Sequence, residues 1–446
     1  MGAFSCFFAS LLLFTSLNFH PGLCWEAEDG GGDVVTRTGR EATEMLVGGG
    51  GAPPAPSSLP PSEPLHPQQA KPIFENALLQ RDYFTIQRFA KRIQSDPQGY
   101  KKTWVGTNIC KYRGFTCERL PYGARLNALA AVDFNGANFD GPNLRLDDFL
   151  EKLNETAIFH ANSNNFKGTV PQNVSKLPYL YELDLSNNKL SGVFPTEVVK
   201  STKLTFVDLR FNNFRGGVPG TAFNLDVDVF FINNNGFTTL PRNIGSTAAL
   251  FLTFANNKFS GTIPSSIGSA RNLREILFLG NNLSGCLPHQ IGFLNKSTVF
   301  DVSGNNLTGP IPQSFACLLK MELLNLASNQ FYGRVPEIVC RLPNIARLTL
   351  ANNYFTQVGP YCRRLINLGK LDIRNNCVSG LPAQRSGAEC AAFFSQRRRC
   401  TNERLMRRIP CQRTLMSLNI TDTNWEEKEH IGPVAATYGT LVPHGP

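Results

Sequence analysis

Apolar and polar residues follow a frame that recurs along the middle of the chain. In one copy, Leu183 and Leu185 are apolar positions, and Asn188 is the polar residue that ends the frame. The frame returns every 22 to 24 residues, and each copy ends in one asparagine. These residues are Asn164, Asn188, Asn212, Asn235, Asn257, Asn281, Asn305, Asn329, Asn353 and Asn376. Such a period predicts one short strand and one return segment per coil of a solenoid.

Strand geometry divides each copy into an inner and an outer set of side chains. Because successive side chains point to opposite faces, Leu183 and Leu185 are expected to face the core and Asp184 the surface. Asn188 then turns the chain inside the solenoid, where its amide can pair with backbone groups that the turn leaves unsatisfied. The asparagine row is therefore predicted to be structural.

The return segments carry a second signature, seen as LSGVFP at 190–195, FSGTIP at 259–264 and LTGPIP at 307–312. The glycine permits a tight backbone bend, and the proline fixes φ as the chain leaves it. This signature resembles the plant-specific class of leucine-rich repeats. It predicts an α/β solenoid, a plant-type horseshoe of about ten to eleven coils with disulfide-stapled N- and C-terminal caps.

Composition divides the rest of the chain. Residues 1–24 contain an apolar run with the length of a signal peptide, too short to span a bilayer, and no later stretch predicts a transmembrane segment. Residues 25–72 are rich in Gly and Pro and predict a disordered linker. The N-terminal cap is predicted at 73–117, with Ile73, Ala77, Tyr83, Ile86, Phe89, Ala90 and Ile93 at helical spacing. The solenoid is assigned to 118–383, a Cys-rich C-terminal cap to 384–411 and a tail to 412–446.

The cysteines and glycosylation sequons favour an extracellular location. An even number of cysteines beyond the leader predicts disulfides, with Cys110 expected to bond to Cys117, and with Cys317 either unpaired or joined to Cys286. The predicted disulfide residues are Cys110, Cys117, Cys286, Cys340, Cys362, Cys377, Cys390, Cys400 and Cys411. The predicted glycosylation sites are Asn154, Asn173, Asn282, Asn295, Asn306 and Asn419.

The outward strand positions of successive coils form the usual binding surface of such solenoids. Large apolar residues there are predicted to be exposed, namely Phe206, Phe231, Phe251 and Leu277, and an exposed apolar patch indicates an interaction site. Their acidic neighbours favour a basic partner. The predicted peptide-binding residues are Tyr181, Glu182, Asp184, Phe206, Asp208, Arg210, Phe231, Phe251, Thr253, Glu275, Leu277 and Asp301. A slip of one residue near Phe231 would instead turn these phenylalanines into the core.

The formal net charge is +10, and much of the excess lies in the C-terminal cap. Arg397, Arg398 and Arg399 form a basic run that suits an acidic wall polysaccharide such as pectin, although a solvated basic surface explains it equally well. Nucleic acid is not expected as a partner of a secreted chain without a recognition motif. No catalytic motif, metal-ligand cluster or cofactor motif is found, so the sequence predicts that the chain is not an enzyme.

Several segments outside the repeat frame resemble the plant leucine-rich repeat extensin family. They are GCLP at 285–288, PAQRS at 382–386, CAAF at 390–393, SDPQG at 95–99 and the NIC and GFTC segments at 108–110 and 114–117. Members of that family are cell-wall proteins whose repeats are similar to a receptor of basic, cysteine-rich rapid alkalinisation factor peptides. The resemblance thus implies a wall or apoplastic location and a protein or peptide ligand, and it allows a homodimer.

Two differences place the chain nearest the extensin-lacking relatives of that family. No Ser-Pro-rich extensin segment follows Cys411, and Val105 and Lys167 stand where the family has cysteine. The leading hypothesis is a secreted wall protein that captures a signalling peptide on its concave face. The alternatives are a polygalacturonase-inhibitor-like defence protein and a structural wall protein that binds pectin.

Overall fold

A computed structural model describes residues 72–120, 125–400 and 403–417. The chain divides into two units, Met1–Pro72 and Ile73–Pro446, and the fold described below belongs to the second. The predicted signal peptide, nearly all of the predicted linker, most of the predicted tail and the sequon at Asn419 lie outside the described residues.

Each coil contributes one strand to a first sheet and, in most coils, a second strand to another sheet. The strands are Phe115–Arg119 (β1), Asn127–Asp133 (β2), Ile158–His160 (β3), Lys167–Gly168 (β4), Glu182–Asp184 (β5), Lys189–Val193 (β6), Phe206–Asp208 (β7), Asn213–Gly217 (β8), Val229–Phe231 (β9), Gly236–Thr239 (β10), Phe251–Thr253 (β11), Ser260–Gly261 (β12), Glu275–Leu277 (β13), Asn282–Cys286 (β14), Val299–Asp301 (β15), Asn306–Gly309 (β16), Leu323–Asn325 (β17), Gln330–Arg334 (β18), Arg347–Thr349 (β19), Tyr354–Gln357 (β20) and Leu371–Asp372 (β21).

The first sheet has twelve strands in the order β1-β2-β3-β5-β7-β9-β11-β13-β15-β17-β19-β21, and we call its outer surface the concave face. The second sheet has nine strands, from β4 to β20, and we call it the flank sheet. Neighbouring strands run parallel in both sheets, whereas β1 and β2 pair in the antiparallel direction and close the N-terminal edge. A plant-type leucine-rich repeat solenoid is therefore confirmed.

Helical segments lie at the ends and in the return segments. The α-helices are Ala77–Ala90 (α1), Pro360–Asn367 (α2), Gly387–Phe394 (α3), Glu403–Met406 (α4) and Gln412–Ser417 (α5). Short 3-10 turns are Tyr100–Thr103, Ile109–Lys111, Leu150–Lys152, Gln172–Lys176, Val198–Lys200, Gly220–Asn224, Ile244–Ser246, Ser265–Ser269, His289–Phe293 and Gln313–Cys317. None of the helices in the described part of the chain has the length and hydropathy needed to cross a membrane.

The asparagine ladder, the ten residues that mark the repeat frame, is internal and structural as predicted. The side-chain oxygen of Asn188 accepts a hydrogen bond from the N–H of Phe166 at 3.0 Å. Its amide nitrogen donates to the carbonyls of Ala161, Leu185 and Ser186 at 2.8, 3.1 and 2.9 Å. Each ladder residue thus joins two coils while it satisfies backbone groups inside the solenoid.

Helix α1 covers the N-terminal end of the core. Asn76 caps it, because its side-chain oxygen accepts from the N–H groups of Leu78 and Leu79. The ring of Phe89 on α1 stacks on Phe149 of the first coils, with 3.7 Å between centroids. Ile73 precedes the helix and is exposed, so the apolar helical face begins later than the sequence predicts.

Five disulfides are present in the described residues, and three of them tie the C-terminal region to the repeats or close it on itself. The pairs are Cys110–Cys117, Cys286–Cys400, Cys317–Cys411, Cys340–Cys362 and Cys377–Cys390. The first pair agrees with the prediction. Both predictions for Cys317 are wrong, because it bonds to Cys411 and Cys286 bonds to Cys400. Connectivity depends on where the chain returns in space, and cysteine order does not contain that information.

The segment after the last coil runs back across the flank sheet. Phe393 of α3 stacks on Tyr354 of β20 with 3.5 Å between ring centroids. Further along, the side chain of Arg398 donates to Gln330 at the start of β18, and Cys400 bonds to Cys286 on β14. We call residues 387–417 the fold-back segment. It covers several coils from the side as well as following the last one.

Candidate functional site

The concave face presents three side-chain positions from each coil, and strand register defines them. Asp184 of β5 is paired with His160 of β3 on one side and with Asp208 of β7 on the other. Phe231 continues this row after Asp208. The alternative of a one-residue slip near Phe231 is therefore wrong, since Phe230 is the residue of β9 that packs in the core.

Acidic residues and one histidine dominate the first half of this surface. We call the set of Asp133, His160, Glu182, Asp184 and Asp208 the acidic stretch. His160 Nε2 lies 2.9 Å from the Glu182 carboxylate, and Asn162 donates to Asp184 at 3.2 Å. Arg210 forms an ion pair with Asp208 at 2.7 Å, and its guanidinium lies 5.0 Å from the ring centre of Phe231.

Burial sets the protonation of two members of the acidic stretch. Burial disfavours the charged form of His160, but the hydrogen bond to Glu182 and the charges of Asp184, Glu182 and Asp133 outweigh it, so the pKa of His160 is raised. Burial also raises the pKa of Asp208 to about 7, against the opposing charge of Arg210. Protons are therefore retained on this surface at pH values where free carboxylates have lost them.

An apolar patch follows in the second half of the concave face. The patch consists of the buried Ala255, Leu277, Val299 and Leu323 and of the half-buried Leu279 beside them. These side chains contact one another across four adjacent coils. Asp301 lies next to this patch and accepts a hydrogen bond from Asn325 at 2.8 Å. Beyond it, Arg347 and Lys370 bring positive charge to the last two coils.

The prediction of an exposed aromatic surface is wrong. Phe206 and Phe231 are each 7% exposed, Leu277 is fully buried and Phe251 is half-buried. Adjacent strands lie about 4.8 Å apart, so large side chains of neighbouring rows pack diagonally against each other. The rings of Phe206 and Phe231 are 6.4 Å apart, and His160 lies 6.3 Å from Phe206.

The predicted site residues fall into two groups by accessibility. Tyr181 is 44% exposed and Phe251 is half-buried. The others lie on the same face but are buried: Glu182, Asp184, Phe206, Asp208, Arg210, Phe231, Thr253, Glu275, Leu277 and Asp301. Their role in binding a peptide stays a prediction.

Sequence reasoning missed two exposed carboxylates, one within the acidic stretch and one beside it. Asp133 ends β2, where the irregular first coil lacks the marker asparagine, and Asp228 immediately precedes β9. The Val-Asp-Phe order at 132–134 matches the Leu-Asp-Leu order at 183–185, and this match was the available signal for Asp133. Asp228 carried no signal, because its position is occupied by Tyr181, Thr205 and other unlike residues in neighbouring coils.

Five of the predicted glycosylation sites are on the surface. Asn154, Asn173, Asn282, Asn295 and Asn306 are all exposed in the structure. Asn282 and Asn306 begin β14 and β16 of the flank sheet. Glycans at these two positions would stand on the flank sheet beside the fold-back segment, away from the concave face.

This fold and its repeat hydrogen bonds define a plant-type leucine-rich repeat protein. The Leucine Rich Repeat family matches residues 179–200 and 297–318. The chain is homologous over about half its length to plant leucine-rich repeat extensin-like proteins of Arabidopsis thaliana. It is 42% identical to protein 4 over 205 residues, which is 46% of this chain and 41% of that protein. It is 40% identical to protein 6 over 221 residues, 49% of this chain and 46% of that protein. The chain thus spans less than half of these relatives.

Solved plant ectodomains share the fold. The ectodomain of the Arabidopsis receptor kinase GASSHO1/SCHENGEN3, solved with CASPARIAN STRIP INTEGRITY FACTOR 2, has a TM-score of 0.57 at 21% identity, covering 66% of this chain and 41% of that one. The ectodomain of the Arabidopsis receptor kinase HAESA, solved with an IDA peptide hormone ligand, has a TM-score of 0.51 at 26% identity, covering 67% and 46%. The chain matches leucine-rich repeat extensin-like proteins and, in fold, the repeat ectodomains of these receptors, in agreement with the prediction that it is not an enzyme.

Proposed function

We propose that this chain is a secreted, wall-associated leucine-rich repeat protein that captures a basic signalling peptide on its concave face. The observation that carries the proposal is the acidic stretch, which places four carboxylates, the exposed Asp133 among them, on neighbouring coils and has the exposed Asp228 beside it. The likeness to an ectodomain solved with a peptide hormone supports it. The family resemblance favours a rapid alkalinisation factor peptide as the ligand.

Charge complementarity is the physical basis of the proposal. Even when Asp208 holds a proton, Asp133, Glu182 and Asp184 outnumber the two basic groups that lie among them, His160 and Arg210. A cationic peptide that approaches the first coils therefore meets an attractive field, which raises its association rate and orients it. Tyr181 offers an exposed aromatic surface beside the same strands, and tyrosine is a frequent anchor at such interfaces.

Calorimetric titration of the secreted protein with a panel of rapid alkalinisation factor peptides tests the proposal. Charge reversal at the exposed Asp228 (Asp228→Lys) should weaken binding by about tenfold or more, because it sets a like charge against the peptide. Asp226→Lys makes the same charge change two residues earlier, further from β9, and should have a smaller effect. Equal affinities of both variants and the wild type would overturn the placement of the peptide, and no binding across the panel would overturn the ligand class.

A second candidate function is pectin binding by the fold-back segment. The observation that favours it is that Arg397, Arg399, Arg404, Arg407 and Arg408 are exposed. Arg398 is used internally, because it stacks on Phe393 at 4.2 Å and donates to Gln330. Retention on immobilised polygalacturonate should fall in Arg397→Glu/Arg399→Glu and disappear at high salt. Unchanged retention of the double variant would exclude this surface.

A further inference from the structure

The C-terminal edge of the twelve-stranded sheet is open at its N–H groups, whereas the carbonyl of Ile373 accepts hydrogen bonds from the side chains of Asn376 and Gln384 at 3.1 and 3.2 Å. In the preceding coil, the N–H groups of Leu348 and Leu350 donate to the carbonyls of Lys370 and Asp372, each at 2.8 Å. Leu371 and Ile373 occupy the equivalent places in the last coil, and no strand follows β21 in the sheet. Neither of their N–H groups meets an acceptor among the residues that the structure describes. Such an edge can pair with a further strand.

A cleft of about 520 Å³ runs along this edge, and we call it the terminal cleft. One wall is β21 itself, and the other is formed by the loop after the last coil. Ala383 O in this loop accepts from the N–H of Asn375, which holds the loop beside the end of the strand. The apolar lining residues are Ala346, Leu348, Ile366, Leu371, Ile373, Leu381 and Pro382.

The rim of the terminal cleft is basic. Arg347 and Lys370 are both exposed, and the register of β19 with β21 sets them side by side on adjacent strands. Like charges that face each other across strands repel, and no ion pair within 4 Å joins either one to a carboxylate among the described residues, although the charge of Arg347 helps to lower the pKa of Asp372. The third cation, Arg374, is already paired with Asp372, to which it donates at 2.9 and 2.7 Å. An anionic group placed between Arg347 and Lys370 would remove this repulsion.

We propose that the terminal cleft binds an extended acidic peptide segment, which adds to β21 as a further strand. The backbone N–H groups of Leu371 and Ile373 supply the strand pairing, and Arg347 and Lys370 select carboxylate side chains on the concave side. Backbone pairing of this kind gives affinity, while side-chain sites give specificity. The ligand has the opposite charge to the peptide proposed for the acidic stretch and binds at the other end of the solenoid. The two sites therefore do not depend on each other.

Fluorescence anisotropy with a labelled Val-Glu-Val-Glu-Val-Glu peptide tests this site in the full chain. The acidic peptide should bind, its Val-Lys counterpart should not, and Arg347→Glu/Lys370→Glu should weaken binding by about tenfold or more. Arg215→Glu changes an exposed arginine on the distant β8 and should leave the affinity unchanged. Equal binding of the acidic and basic peptides, or full affinity in the double variant, would overturn the proposal.

Strand addition is tested separately from charge attraction. Two methylated versions of the acidic peptide are compared, one with N-methyl groups on the odd residues and one with them on the even residues. Each version loses the backbone N–H donors along one edge of the extended peptide. One version should lose binding about tenfold, because only one edge of the peptide faces β21. Equal binding of both versions would show that charge alone holds the peptide and would overturn the pairing. Thermal melts that match the wild type confirm that each variant is folded.

Discussion

The side-chain oxygen of Asn212 accepts a hydrogen bond from the backbone N–H of Leu190, one coil earlier, at 3.0 Å. Its amide nitrogen donates to the carbonyls of Leu185, Leu209 and Arg210 at 2.9, 3.2 and 3.1 Å. Asn212→Ala should lower the free energy of unfolding by about 3 kcal/mol, because it leaves several buried backbone groups unpaired. Denaturant unfolding of the variant measures the loss. Asn213→Ala removes the exposed neighbour and should change stability by less than about 0.5 kcal/mol. Similar losses of unfolding free energy in both variants would contradict the conclusion that the ladder hydrogen bonds hold neighbouring coils together.

A column of left-handed residues, otherwise asparagine, serine or glycine, precedes the ladder, and Phe211 is its one large member. Asn187, Asn234 and Asn256 have φ of 52°, 55° and 53°, and Phe211 has 51° at the equivalent place. A left-handed backbone costs most residues about 1 to 2 kcal/mol, whereas asparagine tolerates it. Phe211→Asn should therefore stabilise the protein by about 1 kcal/mol, seen as a higher melting temperature. The reciprocal Asn187→Phe should destabilise it, and a stabilising effect there would contradict the argument.

The disulfide between Cys286 and Cys400 closes a long loop, which predicts a large contribution to stability. Cys286 and Cys400 are 114 residues apart, whereas Cys377 and Cys390 are 13 apart. A crosslink that closes a longer loop restricts the unfolded chain more, so losing the first pair should cost about 2 kcal/mol more than losing the second. Double Cys→Ser variants of each pair, compared by denaturant unfolding, measure the difference. Peptide mapping without reduction should recover the Cys286–Cys400 and Cys317–Cys411 links, and a Cys286–Cys317 link would contradict the structure.

The environment of His160 predicts a dependence of stability on pH. Its pKa is raised in the fold, so its contribution is fully present below the pKa of the unfolded chain and is lost as pH rises through the folded pKa. The free energy of unfolding should therefore fall between pH 6 and 8, and His160→Gln should remove part of that fall. His289 is a matched control with the opposite sign, because burial and Arg408 lower its pKa. His289→Gln should instead reduce the loss of unfolding free energy that occurs as pH falls. A wild-type slope in His160→Gln would contradict the assignment.

The repeat architecture could be predicted from the sequence because each coil obeys a local rule. Asn188 and its equivalents must satisfy the same carbonyls in every turn, so a spacing in the sequence becomes a spacing in space. The outward direction of Asp184 and Phe206 follows from strand alternation in the same way. The direction in which a side chain points does not determine how much of it is exposed to solvent. Whether Phe206 is accessible depends on Phe231 and His160 in other coils, and strand alternation says nothing about how tightly those rows pack.

The C-terminal region could not be predicted in the same way because it does not repeat. Cys400 finds its partner only because α3 packs on Tyr354 and directs the following residues back across the flank sheet. The ring stack between Phe393 and Tyr354 and the bond from Tyr332 to the carbonyl of Arg398 are single contacts with no periodic signal. The terminal cleft was missed for a related reason, since an open strand edge is a property of the end of the sheet rather than of any residue.

The fold-back segment also determines which coil would bear a pulling force on the C-terminal end. In an open row of coils, a pull on the C-terminal end peels the last coil first, since each coil is held only by its neighbours. Here the chain beyond Cys411 is anchored by a covalent bond to Cys317, several coils inside the array. Force applied to that end would be transmitted to an interior coil, so the hydrogen bonds of the later coils would carry little of it. Under such a load, β21 and the terminal cleft would keep their shape.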